Sequence, residues 1–272
     1  MKYFMLRDGY DVYFKDDEIS DPKGVVVITH GFAEHYSRYD YVANSFNEAG
    51  FAVIRYDLRG HGRNKEELGH IESFNDFVED LHEIIKWTRE KYKDKKVFTL
   101  GHSMGGLVTA LYGIKYKDTI EGQIFSGAAL GTLPSAEKQN RGLLKMVKMV
   151  AKKATIKNPI DDNLCSNRQV YIDYINDKFV LKKATINFYY EFLFNAVDSL
   201  NLGVGSYSLP CLITHGEKDK VVPPILSQNF HNNIISSDKE LIFYKDLFHE
   251  ILNENEKDQI ISDMVKWLDK HI

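Results

Sequence analysis

The stretch Leu100-Gly101-His102-Ser103-Met104-Gly105-Gly106-Leu107 (LGHSMGGL) sets a serine between glycines two positions to either side. Two readings compete at Ser103: a nucleophile on a sharp strand-to-helix turn, or a helix N-cap in a glycine-rich loop. The pattern is too short to choose, so its flanks must decide. Upstream, Lys96-Val97-Phe98-Thr99-Leu100 is a short β-rich run, and downstream, Gly105 to Lys117 carries helical spacing. Ser103 therefore falls in a strand–turn–helix context, where side chains at Gly101 and Gly105 would collide with neighbouring backbone.

The same alternation extends along the chain. Further β-rich runs are Gly24 to Thr29, Phe51 to Tyr56, Gly122 to Ser126, Pro210 to Thr214 and Glu240 to Tyr244. Between them lie helical patterns over Phe74 to Lys91 and Gln259 to His271. This order predicts an α/β fold, a mostly parallel sheet covered by helices, and the nearly continuous apolar runs suit strands buried on both faces. The region 130–209 breaks the pattern. It reads as mostly helical, rich in lysine and aromatics, with no clear strand, and is punctuated by Pro134, Pro159, Gly203 and Gly205. The expected organisation is a core of residues 1–129 and 210–272, with 130–209 inserted after the strand at 122–126 as a helical cap.

A serine hydroxyl needs a base to take its proton, and the base needs an acid to hold its tautomer. In this chain order the acid and the histidine should follow the serine at later strand ends. HGEKDKVVPP after the fifth run supplies Asp219, and KDLFHEILNE after the sixth supplies His249. Oxyanion donors are expected from the backbone N–H of Met104 and from the loop THGFAEHYSRYD, where the N–H of Phe32 is best placed.

Taken together, HGFAEHYSRY (His30 to Tyr39), DLRGHG (Asp57 to Gly62), GHSMGG, HGEKDKVVPP and FHEILNE resemble the monoacylglycerol lipase and lysophospholipase group of the α/β-hydrolase superfamily. The resemblance covers nearly the whole chain except the cap. It implies a serine esterase acting on lipid esters, with Ser103, Asp219 and His249 as triad and Phe32 and Met104 as oxyanion donors. Two positions depart from the family pattern: Tyr36 where H-G-x-x-E-H-S has serine, and Asn64 where G-H-G-x-S has serine. Asparagine can replace serine as a turn residue, whereas Tyr36 leaves the shape of the acyl-pocket wall open. His35, with Glu34 and Arg38, either contacts a polar head group or belongs to a local ion pair holding the oxyanion loop. His61 and His102 read as structural, and His215 reads as a turn residue.

Composition narrows the alternatives. A formal net charge of −4 argues against general nucleic-acid binding. Both cysteines, Cys165 and Cys211, read as packed thiols in a reducing compartment. Arg7, Asp8 and Asp11 come too early for the core of a signal peptide, and no run approaches the ~20 apolar residues of a membrane span. The expectation is a soluble cytoplasmic protein. No cofactor or metal is implied: His249-Glu250 opens like a zinc motif, but Asn253 stands where its second histidine must be. In the cap, Arg141 to Lys157 forms an amphipathic pattern, with Leu143, Met146, Val147, Val150 and Ala154 on one face and Arg141, Lys145, Lys148 and Lys152 on another. The apolar face either covers the pocket above a solvated lysine face, or the basic helix docks peripherally on an anionic membrane. Rival functions on this scaffold are a short-chain carboxylesterase, a thioesterase, an acyltransferase, a peptidase, or a ligand-binding protein without turnover.

Overall fold

The computed structural model describes residues 3–158 and 164–272, so Pro159 lies outside the described residues. In chain order the strands are β1 (Tyr3–Met5), β2 (Asp11–Asp17), β3 (Gly24–Thr29), β4 (Phe51–Tyr56), β5 (Lys96–His102), β6 (Gly122–Ser126), β7 (Thr155–Lys157), β8 (Lys183–Thr185), β9 (Cys211–Gly216) and β10 (Lys239–Tyr244). An eight-stranded sheet runs β1-β2-β4-β3-β5-β6-β9-β10. The strands from β4 to β10 in that order pair in parallel, and only β1 and β2 are antiparallel. All the runs read as strands are strands of this parallel part.

Their continuous apolar character has a direct cause, because the interior strands are buried on both faces, while β10 at the edge is half-buried. On β3, Val25 and Val27 join one core, with the helices Asn75–Lys91 and Met104–Lys115. Val26 and Ile28 join the other, with the helices Asp40–Glu48 and Lys257–Lys270. The sequence reading passed over β1 and β2. In β2, Val12 and Phe14 are buried while Asp11 and Lys15 are exposed, a period-2 signal over a short edge segment.

β3 is followed by β4 on one side and β5 on the other, so the strand order reverses between β3 and β5. A crevice opens at such a point outside the carboxyl ends of the strands. The loop after β3 and the turn at Ser103 both emerge there, with Thr29 paired to Gly101 at the final register position.

The segment 130–209 lies between β6 and β9 and contains the helices Pro134–Glu137, Arg141–Ala151, Arg168–Asn176, Ile186–Tyr190 and Ala196–Gly203. Two expectations for it fail. It does contain strands, since β7 and β8 pair antiparallel with Thr155 opposite Thr185; each is too short to register as a pattern. The helix Arg141–Ala151 also turns its apolar face outward instead of over a pocket. Leu143 is 54%, Met146 61%, Met149 81% and Val150 87% exposed. Its basic side is tied down, with Arg141 on Asp198, Lys148 on Glu191 at 2.6 Å and Lys152 on Glu72 at 2.8 Å, while Lys145 is exposed. Carboxylates contributed by distant segments thus orient the helix.

Candidate active site

β5 gives way to the helix Met104–Lys115 through one residue, Ser103, held at φ 51° and ψ −120°. A non-glycine side chain in the left-handed region is strained and needs surrounding structure to hold it. The Ser103 backbone is held on both sides: its N–H donates to Ser126 O at 3.1 Å, and its carbonyl accepts from Ala129 N–H at 3.0 Å. The flanking glycines are required by proximity. A Cβ on Gly105 would overlap the carbonyl oxygens of Thr29 and His30, and one on Gly101 would overlap Thr109 and lie 2.6 Å from Gly105 O. Ser103 makes no side-chain cap hydrogen bond to its helix, which removes the N-cap reading.

The Ser103 hydroxyl lies 3.0 Å from His249 Nε2, and His249 Nδ1 lies 2.6 Å from Asp219 Oδ2. Burial by itself disfavours charge on His249, but the Asp219 carboxylate and its hydrogen bond, with Glu250 and Glu34 adding, outweigh burial and raise its pKa above the ordinary value. Burial likewise pushes Asp219 up, yet His249 and the hydrogen bonds it receives hold it well below the usual carboxylate range. The pair is therefore poised with an ionised acid behind the imidazole.

On the other side of Ser103 stands the loop after β3. A Cβ on Gly31 would lie 3.1 Å from Ser103 Cβ, so only glycine lets this backbone come so near. Glu34 Oε1 accepts from Gly31 N–H at 2.6 Å and from the Tyr39 hydroxyl at 2.8 Å. His30 donates from Nδ1 to Gly31 O at 2.8 Å and accepts from Leu58 N–H at 2.9 Å. Phe32 is the next residue, and Met104, as the first residue of its helix, has an N–H with no intrahelical acceptor. The Phe32 ring packs against Phe188, Tyr189 and Phe192 of the cap, with centroids 5.1, 5.6 and 6.2 Å away.

Glu34, His35 and Arg38 are brought together, with their polar atoms engaged by protein partners. Arg38 bridges Glu34 Oε2 at 2.7 Å and grips Glu250 with two bonds of 2.7 and 2.6 Å. His35 Nε2 reaches Asp177 of the cap at 2.7 Å. This is the local ion-pair arrangement, and it links the loop after β3 to the residue after His249. Nothing in the sequence signals Glu250 as the partner of Arg38, because the two lie 212 positions apart.

The remaining departures are structural. Tyr36 stacks on Tyr13 at 5.5 Å and lies against Arg55 and Arg63. Asn64 accepts from Tyr13 N–H at 2.7 Å and donates to Asp57 O at 3.1 Å and Leu58 O at 2.8 Å, the turn role expected of it. Burial, then the neighbouring His249, pushes His102 down to about 4, and its Nδ1 donates to Ser126 O at 2.8 Å. His215 is no simple turn residue. It is fully buried at the end of β9 and contacts Asp219 Oδ2 at 3.0 Å.

A hydroxyl, an imidazole and a carboxylate joined in this order, at a strand-to-helix turn outside a parallel sheet, define a serine hydrolase of the α/β-hydrolase fold. Residues 20–256 match the family Hydrolase_4, described as serine aminopeptidase, S33, and the chain belongs to that family. It is 30% identical over 267 residues to the monoacylglycerol lipase of Mycolicibacterium smegmatis, covering 98% of this chain and 94% of that one. It is 28% identical to the phospholipase YtpA of Bacillus subtilis, covering 92% and 97%. Among solved structures, the monoacylglycerol lipase of Paleococcus ferrophilus superposes with a TM-score of 0.85 at 26% identity, covering 96% and 99%.

The close approach at the turn gives a stability test. Gly105→Ala places its methyl into the Thr29 and His30 carbonyls and should cost about 1–3 kcal/mol, as overpacked sites do. Denaturant melts of the variant and wild type check this.

Proposed function

We propose that the chain hydrolyses carboxylic esters of lipids, monoacylglycerols or lysophospholipids, through an acyl-enzyme on Ser103. The hydrogen-bonded chain Ser103–His249–Asp219 carries this reading. His249 Nε2 takes the Ser103 proton as Oγ attacks the ester carbonyl, and the N–H groups of Phe32 and Met104 receive the developing oxyanion. The tetrahedral intermediate collapses with loss of the alcohol, which takes the proton from His249. Water then enters, gives a proton to His249, and releases the acid and Ser103 in the mirror sequence. Asp219 holds the imidazole with Nδ1 protonated and stabilises its charged form. Glu34, Arg38 and Glu250 hold the two loops that supply the oxyanion donor and the base.

The substrate class is supported by the names of the similar proteins and by the aromatic cluster of Phe32, Phe188, Tyr189 and Phe192, which suits an acyl chain better than a charged peptide terminus. The segment 130–209 acts as the lid over that cluster. No helix among the described residues is long and apolar enough to cross a membrane, and the lid contacts lipid surfaces peripherally. The contact is made by Leu143, Met146, Met149 and Val150. Of the basic side, Arg141, Lys148 and Lys152 are already paired within the protein.

Three results check this. A fluorophosphonate should label the wild type but not Ser103→Ala, with ester turnover falling on the order of 10⁴-fold or more in the variant; a wild type that neither labels nor turns over monoacylglycerols, lysophospholipids or short esters refutes the hydrolase. Because His249 must be neutral to act and its pKa is raised, kcat/KM should fall with decreasing pH through a midpoint above about 6.5, the ordinary histidine value. In sedimentation with lipid vesicles, converting Leu143, Met146, Met149 and Val150 together to serine should lower the bound fraction about tenfold or more, given the apolar area withdrawn. An equal loss in Lys145→Glu would point to charge instead.

A further inference from the structure

Asp219 lies in the loop after β9, and although Glu217, Lys218 and Lys220 around it are exposed, its own side chain is 0% exposed. An ionised carboxylate accepts at roughly four lone-pair positions, and leaving any of them empty in such a site is costly. Here all are taken. Oδ1 accepts from the N–H groups of Val221 and Val222, both at 2.8 Å. Oδ2 accepts from His249 Nδ1 at 2.6 Å and from a second imidazole, His215 Nε2, at 3.0 Å.

The protonation of that second ring follows from its neighbours. His215 Nε2 faces the Asp219 carboxylate and also Val222 O at 2.9 Å, and both only accept. Nε2 must therefore carry a hydrogen. In the neutral ring Nδ1 is then an acceptor, and it meets the hydroxyl of Ser227 at 2.7 Å. Ser227 belongs to the helix Ile225–Asn233, and both it and His215 are 0% exposed.

We infer that His215 and Ser227 are a positioning pair for the catalytic base: His215 pins Asp219 Oδ2 toward His249, and Ser227 fixes the His215 tautomer that can do so. The inference rests on the triad reading above and adds two residues to it. Its mechanical sense lies in the sheet. His215 is a residue of β9, which is paired on one side with β6 and on the other with β10. Asp219 is in the loop that follows, four residues on, and without His215 its Oδ2 would be held by His249 alone. The His215 bond transfers the rigidity of an interior strand to that carboxylate, while the Val221 and Val222 amides hold the other oxygen. A misplacement of about 1 Å in such a group can cost about a hundredfold in rate.

The test compares His215→Leu, which removes the donor, with His215→Gln, whose amide can donate from a similar position. Steady-state ester hydrolysis and the rate of fluorophosphonate labelling at Ser103 are measured on protein shown to be folded by thermal melting. For His215→Leu, kcat and the labelling rate should fall together by about tenfold to a hundredfold, with KM within about twofold of wild type because no substrate contact is removed. His215→Gln should recover to within about fivefold of wild type, the range of a retained hydrogen bond. A purely space-filling role predicts the opposite ranking, since leucine packs and glutamine does not. A folded His215→Leu with wild-type kcat, or a His215→Gln as impaired as the leucine variant, overturns the pair. If His215→Leu does not fold, Ser227→Ala decides: it should lower kcat about three- to tenfold through loss of one hydrogen bond, and an unchanged kcat overturns the proposal. Failure of the triad reading looks different, because then the wild type would not label or Ser103→Ala would.

Discussion

One backbone turn sets the geometry of everything near it. The chain passes from β5 into a helix through Ser103 alone, at φ 51°, and strain of this kind costs of order 1–3 kcal/mol and persists only where the surroundings over-determine it. The surroundings are the backbone itself. Gly105 lies against the Thr29 and His30 carbonyls, and Gly31 lies against Ser103, so the β3 loop and the β5 turn are locked face to face. That contact brings a candidate oxyanion loop beside the serine before any side-chain chemistry is considered. The parallel sheet then delivers Asp219 and His249 to the same end.

Two buried electrostatic arrangements support the turn from opposite sides. Arg38 stands between Glu34 and Glu250, so one guanidinium joins the loop after β3 to the loop of His249. Removing a partner from such a buried set leaves an uncompensated charge, so the set acts as a unit. The second arrangement gathers four donors around Asp219. Both hold charged groups largely out of water through several hydrogen bonds each, which restrains His249 and Gly31.

The cap works under a different constraint. Its helix Arg141–Ala151 has a strong amphipathic pattern, and a pattern of that kind states only that two faces differ. Which face meets water depends on what surrounds the helix. Here Leu144 packs on the core and Lys148 pairs with the buried Glu191, Arg141 and Lys152 make surface ion pairs with Asp198 and Glu72, and Leu143, Met146, Met149 and Val150 are left exposed. The protein thus carries an exposed apolar ridge on the same segment that supplies Phe188, Tyr189 and Phe192 to the aromatic cluster around Phe32. Burying that ridge in lipid would gain free energy that water withholds.

The parallel strands were legible in the sequence because burial on both faces writes a local apolar run, and the serine, acid and histidine were legible because each sits in a loop directly after such a run. The glycines were legible because close backbone approach admits nothing larger. The antiparallel strands β1 and β2 and the antiparallel pair of β7 with β8 were not, being short or buried on one side only. Sequence alone also could not supply Glu250 as the partner of Arg38, the outward face of the cap helix, or the bond from His215 to Asp219. Each of these depends on which groups fold to within about 3 Å of one another, a hydrogen-bonding distance. Local pattern determined the fold, the order of Ser103, Asp219 and His249 at successive strand ends and the turn that presents Ser103. Only the tertiary structure decided what holds those groups still and which surface the cap offers, because partners far apart in the chain compete for the same buried charge.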